Sequence, residues 1–245
     1  MENFSHPHLA RLIEHGYCDV AGRHTRYVAW EFIDGQTLSV LLKDGPLMES
    51  DVLTIGRDVS SAIAEIWARR IVHGDIKPSN IMLRNYDANI MAGSAESAVL
   101  IDLGAAKYLD QVNILTLKPL ARDDRRRSAR GSLGTLGYFS PEQIKGTKAL
   151  SCASDVFSLG VVMLQCLLGR HPTNYDQVAL TEGIRASKCR LAASVGLLCA
   201  LDMMLSPLPT FRPNPAELSQ RFQSLRQTIQ AEFAKGARAP QKAQG

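Results

Sequence analysis

The strongest constraint on this chain is a change of period at residue 70. Val52, Ile55, Val59, Ala62, Ile63, Ile66 and Trp67 recur three or four apart, which draws one apolar stripe along a helix. Glu49 and Asp51 fall in its first turn and Arg69 and Arg70 in its last, the arrangement a helix dipole favours. Straight after it comes IVHGDIKPSNIML, Ile71 to Leu83. There an Asp, a Lys and an Asn share six positions between short apolar runs. A carboxylate can take a proton from a hydroxyl. A lysine can neutralise developing anionic charge. An Asn amide oxygen can ligate a hard cation. The pattern predicts Asp75, Lys77 and Asn80 on one tight loop after a helix. Taken singly, each is equally a turn residue, because Asp, Asn, Pro and Gly populate turns for conformational reasons.

The rest of the chain sets the context. YVAWEFI (Tyr27 to Ile33) is aromatic and β-branched, bounded by Gly22 and Asp34-Gly35, a strand signal. LARLIEHGYCD is its candidate partner. IMLR and AVLID read as two further short strands, and Asn85 to Ser97 between them as an exposed loop. The second strand delivers Asp102, another carboxylate suited to a divalent cation, with Gly104 after it to permit a turn. Residues 105–133 hold ARDDRRRSAR and keep no steady period. From Ser151 onward the segments 154–168, 176–186, 191–205 and 214–233 read as helices, punctuated by Pro172, Pro207, Pro209, Pro213 and Pro215. Few strands followed by many helices predict an α+β, mainly helical fold. The tail KGARAPQKAQG lacks apolar content and is expected to be disordered.

Composition excludes little but ranks the alternatives. With 45% hydrophobic and 21% charged residues, the chain can bury a sizeable core. A net charge of +4 is too mild to imply nucleic acid or membrane partners. The five cysteines are odd in number and form no C-x-x-C pair, which predicts reduced, buried thiols. No basic-then-apolar signal segment opens the chain and no apolar run is long enough to span a bilayer, so a cytoplasmic protein is expected. His6 and His8 have no metal-ligand spacing and read as surface or turn histidines. Cys166 reads as core.

The motifs occur in an order that is itself informative. His73-Gly74-Asp75-Ile76 through Asn80 is followed by Asp102-Leu103-Gly104 and then Ser140-Pro141-Glu142. This set resembles the protein kinase family, serine/threonine type, whose pattern is H-R-D-L-x-x-x-N, D-F-G and A-P-E. The resemblance covers roughly residues 5–230. It implies Asp75 as catalytic base, Lys77 on the γ-phosphate, Asn80 and Asp102 as Mg²⁺ ligands, and ATP as donor. It further implies that the backbones of Glu31 and Ile33 bond adenine, with Met82 under the ring and the bulky Trp30 just before the hinge. Simple core packing is the alternative for Trp30 and Met82. His73, Glu142, Asp155 and Arg212 would be supports: Asp155 holding the catalytic-loop backbone, Arg212 pairing with a buried Glu142. GTLGYFSPEQ would be the substrate side, with Thr135 marking a protein acceptor.

Two features bear on subtype. Small-molecule kinases of the aminoglycoside and choline type also read H-G-D-x-x-x-x-N, but they lack Lys77-Pro78 and the segment with Thr135 and Tyr138. Those residues favour Ser or Thr of a protein as acceptor. Gly74 replaces the family's usual Arg, which weakens any case for switching through loop phosphorylation. The run Arg122, Arg125, Arg126, Arg127 and Arg130 reads as a solvated charge run, and Ser128 and Ser132 as ordinary loop hydroxyls.

The 245 residues contain no Gly-rich loop and no strand lysine with its helix glutamate. The expected organisation is therefore a kinase-like domain over 1–233, in which 1–33 is a remnant β-hairpin and hinge of the small lobe and 34–233 the helical large lobe, with a tail over 234–245. Three explanations compete: a fragment or late start of an ordinary kinase with impaired transfer, a non-catalytic pseudokinase binding module, and a chain whose upper lobe or covering partner over residues 9–32 comes from another polypeptide; the intact set Asp75, Lys77, Asn80 and Asp102 favours the first.

Overall fold

The computed structural model describes residues 5–86, 96–103, 106–108, 136–146, 150–186, 189 and 191–236. Gly104, Arg122 to Arg130, Ser128, Ser132, Thr135 and residues 237–245 lie outside them, as does most of the loop after Asn85. Strands β1 (Leu12–Val20) and β2 (Arg23–Trp30) form an antiparallel hairpin that turns through Ala21 and Gly22, both at positive φ. β3 (Gly35–Thr37) leads into a single turn of helix, α1 (Leu38–Leu41). Helix α2 (Glu49–Ala68) follows, then β4 (Ile71–Val72), β5 (Ile81–Arg84), β6 (Ser97–Leu100) and β7 (Lys107–Tyr108). The remaining α-helices among the described residues are α3 (Pro141–Ile144), α4 (Cys152–Leu168), α5 (Gln177–Glu182), α6 (Val195–Met204) and α7 (Pro215–Gly236). This is the α+β, mainly helical architecture that the period pattern predicts.

Differences from the sequence reading are local. Helix α2 stops at Ala68, so Arg69 is its C-cap and Arg70 stands beyond it at φ 59. The strand expected over AVLID ends at Leu100, and the last helix reaches Gly236. Short elements such as β3, β4 and α3 carry too few residues to show a period.

Helices α2 and α4 are the core. Val52, Leu53, Ile55, Val59, Ile63 and Ile66 of α2 are fully buried, as are Val156, Phe157, Leu159, Val161, Val162 and Leu164 of α4. Ser151 caps α4, its Oγ accepting the Ala153 amide, and Gly169 ends the helix at φ 68. Sheet β3-β5-β6 lies alongside, with Thr37 opposite Met82 and Met82 opposite Val99.

The segment before the hairpin is seated by polar contacts. Leu100 donates its amide to His8 O, and Ala10 donates to Leu100 O. Asp58, fully buried on α2, accepts the Ala98 amide at 2.8 Å and lies 3.4 Å from His8 Nε2. His6 Nε2 reaches Ser61 Oγ at 3.2 Å. The two histidines therefore sit in a turn as predicted, but half-buried and bonded rather than on the surface. All five cysteines are free thiols; Cys166 is buried, whereas Cys18 and Cys199 are exposed, a correction to the expectation of buried thiols throughout. Nothing in a cysteine's spacing tells which face of its element meets the core.

Gly56 is where α2 approaches its neighbours most closely. A Cβ there would lie 2.5 Å from Met163 Cε and 2.8 Å from the Phe222 ring. Glycine costs a helix ~0.5–1 kcal/mol against alanine, while overpacking a filled core costs ~1–3 kcal/mol, so the packing effect wins. Gly56→Ala should lower stability by about 1 kcal/mol in urea titration, and Gly56→Val by more. An unchanged midpoint for both would show that Met163 and Phe222 yield freely.

Candidate active site

The loop after β4 is held from below. The amides of His73 and Gly74 each donate to the Asp155 carboxylate, to Oδ2 and Oδ1, both at 2.8 Å. Asp155 is buried in the first turn of α4. Burial pushes its carboxyl up to about 7, against the pull of the Gly74 and His73 amides. Gly74 takes φ 75, a conformation that strains residues with a Cβ and that glycine adopts freely.

His73 links this loop to the strand that carries Asp102. Its Nδ1 accepts the Asp75 amide at 3.3 Å, so the proton sits on Nε2, which faces Ile101 O at 3.3 Å. Burial drives its pKa down to about 4, although Ile101 O and the charges of Asp75 and Asp102 act in the opposite direction. Both carboxylates thus act on one imidazole. Asp102 itself stands exposed at φ 63; a non-glycine residue held there stores ~1–3 kcal/mol of backbone strain, a feature that clusters at functional sites.

Asp75 is the centre of the constellation. Its Oδ2 accepts from Lys77 Nζ at 2.7 Å and from Asn80 Nδ2 at 3.2 Å. Asn80 Nδ2 also donates to Asp75 O at 2.9 Å, which turns the Asn80 amide oxygen the other way. Asp75 Oδ1 is buried and has no hydrogen-bond partner among the described residues. An orphaned buried acceptor is costly and marks a group held for a missing donor. The structure therefore brings Asp75, Lys77 and Asn80 into direct contact and sets Asp102 next to Ile101, the residue His73 holds.

The predicted nucleotide side is an apolar layer. Ile33 is buried with Ala10 and Val99, and Trp30, Met82 and Ile101 pack against them. Met82 is half-buried at the centre of the β3-β5-β6 sheet. The Glu31 amide donates to Arg11 O, and the Glu31 carboxylate lies 3.5 Å from Arg84.

The substrate-side segment is braced by a buried ion pair. Arg212 Nη1 and Nη2 meet Glu142 Oε1 and Oε2 at 2.7 and 2.9 Å, and Ser154 Oγ adds 2.8 Å to Oε1. Arg212 also donates to Ala153 O and Ser206 O, each at 2.9 Å, and lies over Phe157. Burial raises the Glu142 pKa, but the Arg212 hydrogen bond and charge outweigh it and hold the carboxyl below its usual range. Gln143 Nε2 reaches Gly74 O at 3.3 Å, tying this segment to the Asp75 loop. Sequence reasoning missed Gln143, Ser154 and Ser158. The S-x-x-Q capping pattern Ser140 to Gln143 was the only signal available for the first. Thr135 lies outside the described residues.

Two outcomes follow from these bonds. Arg212→Ala should cost ~3–5 kcal/mol, because it leaves the Glu142 charge buried and uncompensated; a loss under 1 kcal/mol in denaturant titration would refute the pairing. His73 binds its proton only near pH 4 in the folded state but near 6.5 when unfolded. The unfolded chain then holds more protons in that window, so this contribution is complete above pH 6.5 and is lost as pH falls towards 4, about 3 kcal/mol in all. An NMR titration placing the His73 imidazole at 6 or above would overturn it.

The protein kinase domain family model covers residues 1–229. The chain is 29% identical over 170 residues to the serine/threonine-protein kinase PknB of Mycobacterium leprae, 69% of this chain and 24% of that protein. It is 30% identical over 171 residues to the serine/threonine-protein kinase PrkC of Bacillus subtilis, 69% and 22%. It is 28% identical over 206 residues to the serine/threonine-protein kinase PknA of a Nostoc species, 84% and 32%. The matched part thus spans about a quarter to a third of these relatives. The motif order, the Asp75 constellation and the family match agree: this chain belongs to the protein kinase domain family.

Proposed function

We propose that the chain transfers the γ-phosphoryl group of ATP to Ser or Thr hydroxyls of protein substrates. The observation that carries this reading is the Asp75 carboxylate, fixed through Oδ2 by Lys77 and Asn80 while Oδ1 is buried without a partner among the described residues. Oδ1 is the acceptor for the proton of an incoming hydroxyl. The Lys77 ammonium, held 2.7 Å from Asp75, neutralises charge on the phosphoryl oxygens near the acceptor. The Asn80 amide oxygen and the Asp102 carboxylate suit Mg²⁺, which takes one or two protein oxygens and completes its shell with phosphate and water. Bound there, Mg²⁺ would offset the negative charge of the phosphates. Trp30, Ile33, Met82, Val99 and Ile101 offer an apolar face for the adenine. Similarity to relatives named as serine/threonine-protein kinases favours a protein acceptor over a small molecule.

The same reading assigns residues 9–32 a cover. Ile13, Tyr17 and Val28 of the hairpin and Phe32 beyond it are exposed, and a lone two-stranded ribbon is marginal. A partner or upper-lobe segment seated on it would supply a phosphate-binding lysine and glycine loop. Without such groups, transfer by residues 1–245 is slow, since one preorganised electrostatic group is worth ~10²–10³ in rate. A cytoplasmic location is proposed on the five free thiols, which suit a reducing compartment. No helix among the described residues is long and apolar enough to cross a membrane.

The test is a radiometric assay with labelled ATP, Mg²⁺ and a Ser/Thr-rich acceptor protein. Label should appear on Ser or Thr, and Asp75→Asn should reduce it ~10²–10⁴-fold with the melting temperature retained. Asp102→Asn should raise the Mg²⁺ and ATP concentrations needed. Transfer that survives Asp75→Asn undiminished would exclude this mechanism; no transfer in any form, with acceptor binding intact, would favour the binding-module alternative.

A further inference from the structure

Thirty-four residues beyond Gly137, after the end of α4, the chain folds back on the substrate-side segment. Buried His171 places Nε2 2.9 Å from Gly137 O. Its Nδ1 accepts the amides of Tyr175 at 3.0 Å and Thr173 at 3.3 Å. Two N–H donors converge on Nδ1, so that nitrogen carries no proton and Nε2–H donates to Gly137 O. Burial, partly opposed by that carbonyl, lowers the pKa of His171 and keeps it neutral.

The ring also orders its neighbours. Tyr175 stacks on it with centroids 4.1 Å apart and planes 17° apart, and Tyr138 meets it edge-on at 5.2 Å. To make this stack, Asn174 and Tyr175 adopt φ 48 and 66 in succession, a strained pair for residues with side chains. Gly137 leaves no space for anything larger: a Cβ there would lie 2.3 Å from Tyr175 Cδ1. Tyr138 is fastened from α4 as well, its OH to Gln165 and its carbonyl to Ser158 Oγ, both at 2.7 Å. Gly137 O is therefore one point at which the loop after α4 holds the segment, and Tyr175, 44% exposed, stands beside it at the surface.

We propose that His171 is a positioning residue for the acceptor, fixing through Gly137 the segment Leu136 to Ser140 against which a Ser/Thr polypeptide lies, with Tyr175 forming the adjoining wall. This rests on the protein kinase reading of the Asp75 site. No contact runs from His171 to Asp75 or to the apolar nucleotide face among the described bonds, so its effect belongs to the acceptor and not to ATP.

Two near-isosteres separate the roles of the two nitrogens. His171→Asn keeps an acceptor near the Nδ1 position and so preserves the 171–175 turn, but loses the donor to Gly137 O. His171→Gln reaches Gly137 O as a donor. We expect His171→Asn to speed amide deuterium exchange of residues 136–143 and to raise the acceptor-protein KM about tenfold, as one unsatisfied buried hydrogen bond implies. The ATP KM and kcat should stay within about twofold, and His171→Gln should restore both readouts. Unchanged exchange and acceptor KM in His171→Asn, an equal rise in ATP KM, or rescue absent in His171→Gln would each overturn the proposal. If the unsubstituted chain transfers no phosphate even with a phosphate-binding upper lobe supplied, the kinase reading and the acceptor role fall together, while deuterium exchange still decides whether His171 braces the segment.

Discussion

Everything at this site hangs on one buried carboxylate. Asp155 accepts the amides of His73 and Gly74, and those two bonds fasten a loop of unusual backbone shape to α4, one of the two core helices. Taking a carboxylate out of water is expensive, and the two charge-assisted bonds offset part of that cost. A carboxylate so placed sits at the helix N-terminus, where the dipole also favours it. The loop is thereby fixed at residues 73 and 74, and Asp75 follows at once with little freedom left.

From that anchor the order spreads by hydrogen bonds rather than by apolar contact. His73 carries it in one direction, to Ile101 O and hence to the residue before Asp102. Lys77 and Asn80 carry it within the loop, each bonded to Asp75. Gln143 carries it to the substrate-side segment through Gly74 O. That segment has its own anchors in Arg212, Ser158 and His171, drawn from three later stretches of chain. Strain at Asp102 and at Asn174-Tyr175 is tolerated because the surrounding bonds overdetermine the backbone.

Much of this was legible beforehand. The helix stripe from Val52 to Trp67 predicted α2, since the period of a buried face survives in sequence. Asp75, Lys77 and Asn80 were expected on one tight loop, where their side chains bond one another, and the Glu142–Arg212 pair followed from the family resemblance alone, 70 residues apart. Other features left no trace. His8 and Asp58 meet across fifty residues, and His6 with Ser61; a histidine in a Ser-His-Pro-His turn looks the same whether it faces water or a helix. The exposure of Cys18 depends on a hairpin that packs on little, which its alternating sequence does not reveal.

The sequence by itself determined the elements and the chemical inventory: which stretches repeat at helical period, and which acids, amides and lysine stand close along the chain. Those are local properties, carried by neighbours within a turn or a strand. Only the tertiary structure decided which nitrogen of His73 and His171 bears the proton, that Asp75 Oδ1 is left without a partner among the described residues, and that Gly137 meets a loop 34 residues on. Each of these depends on donors and acceptors brought together from distant segments, and no local pattern encodes the partner a buried polar atom will find.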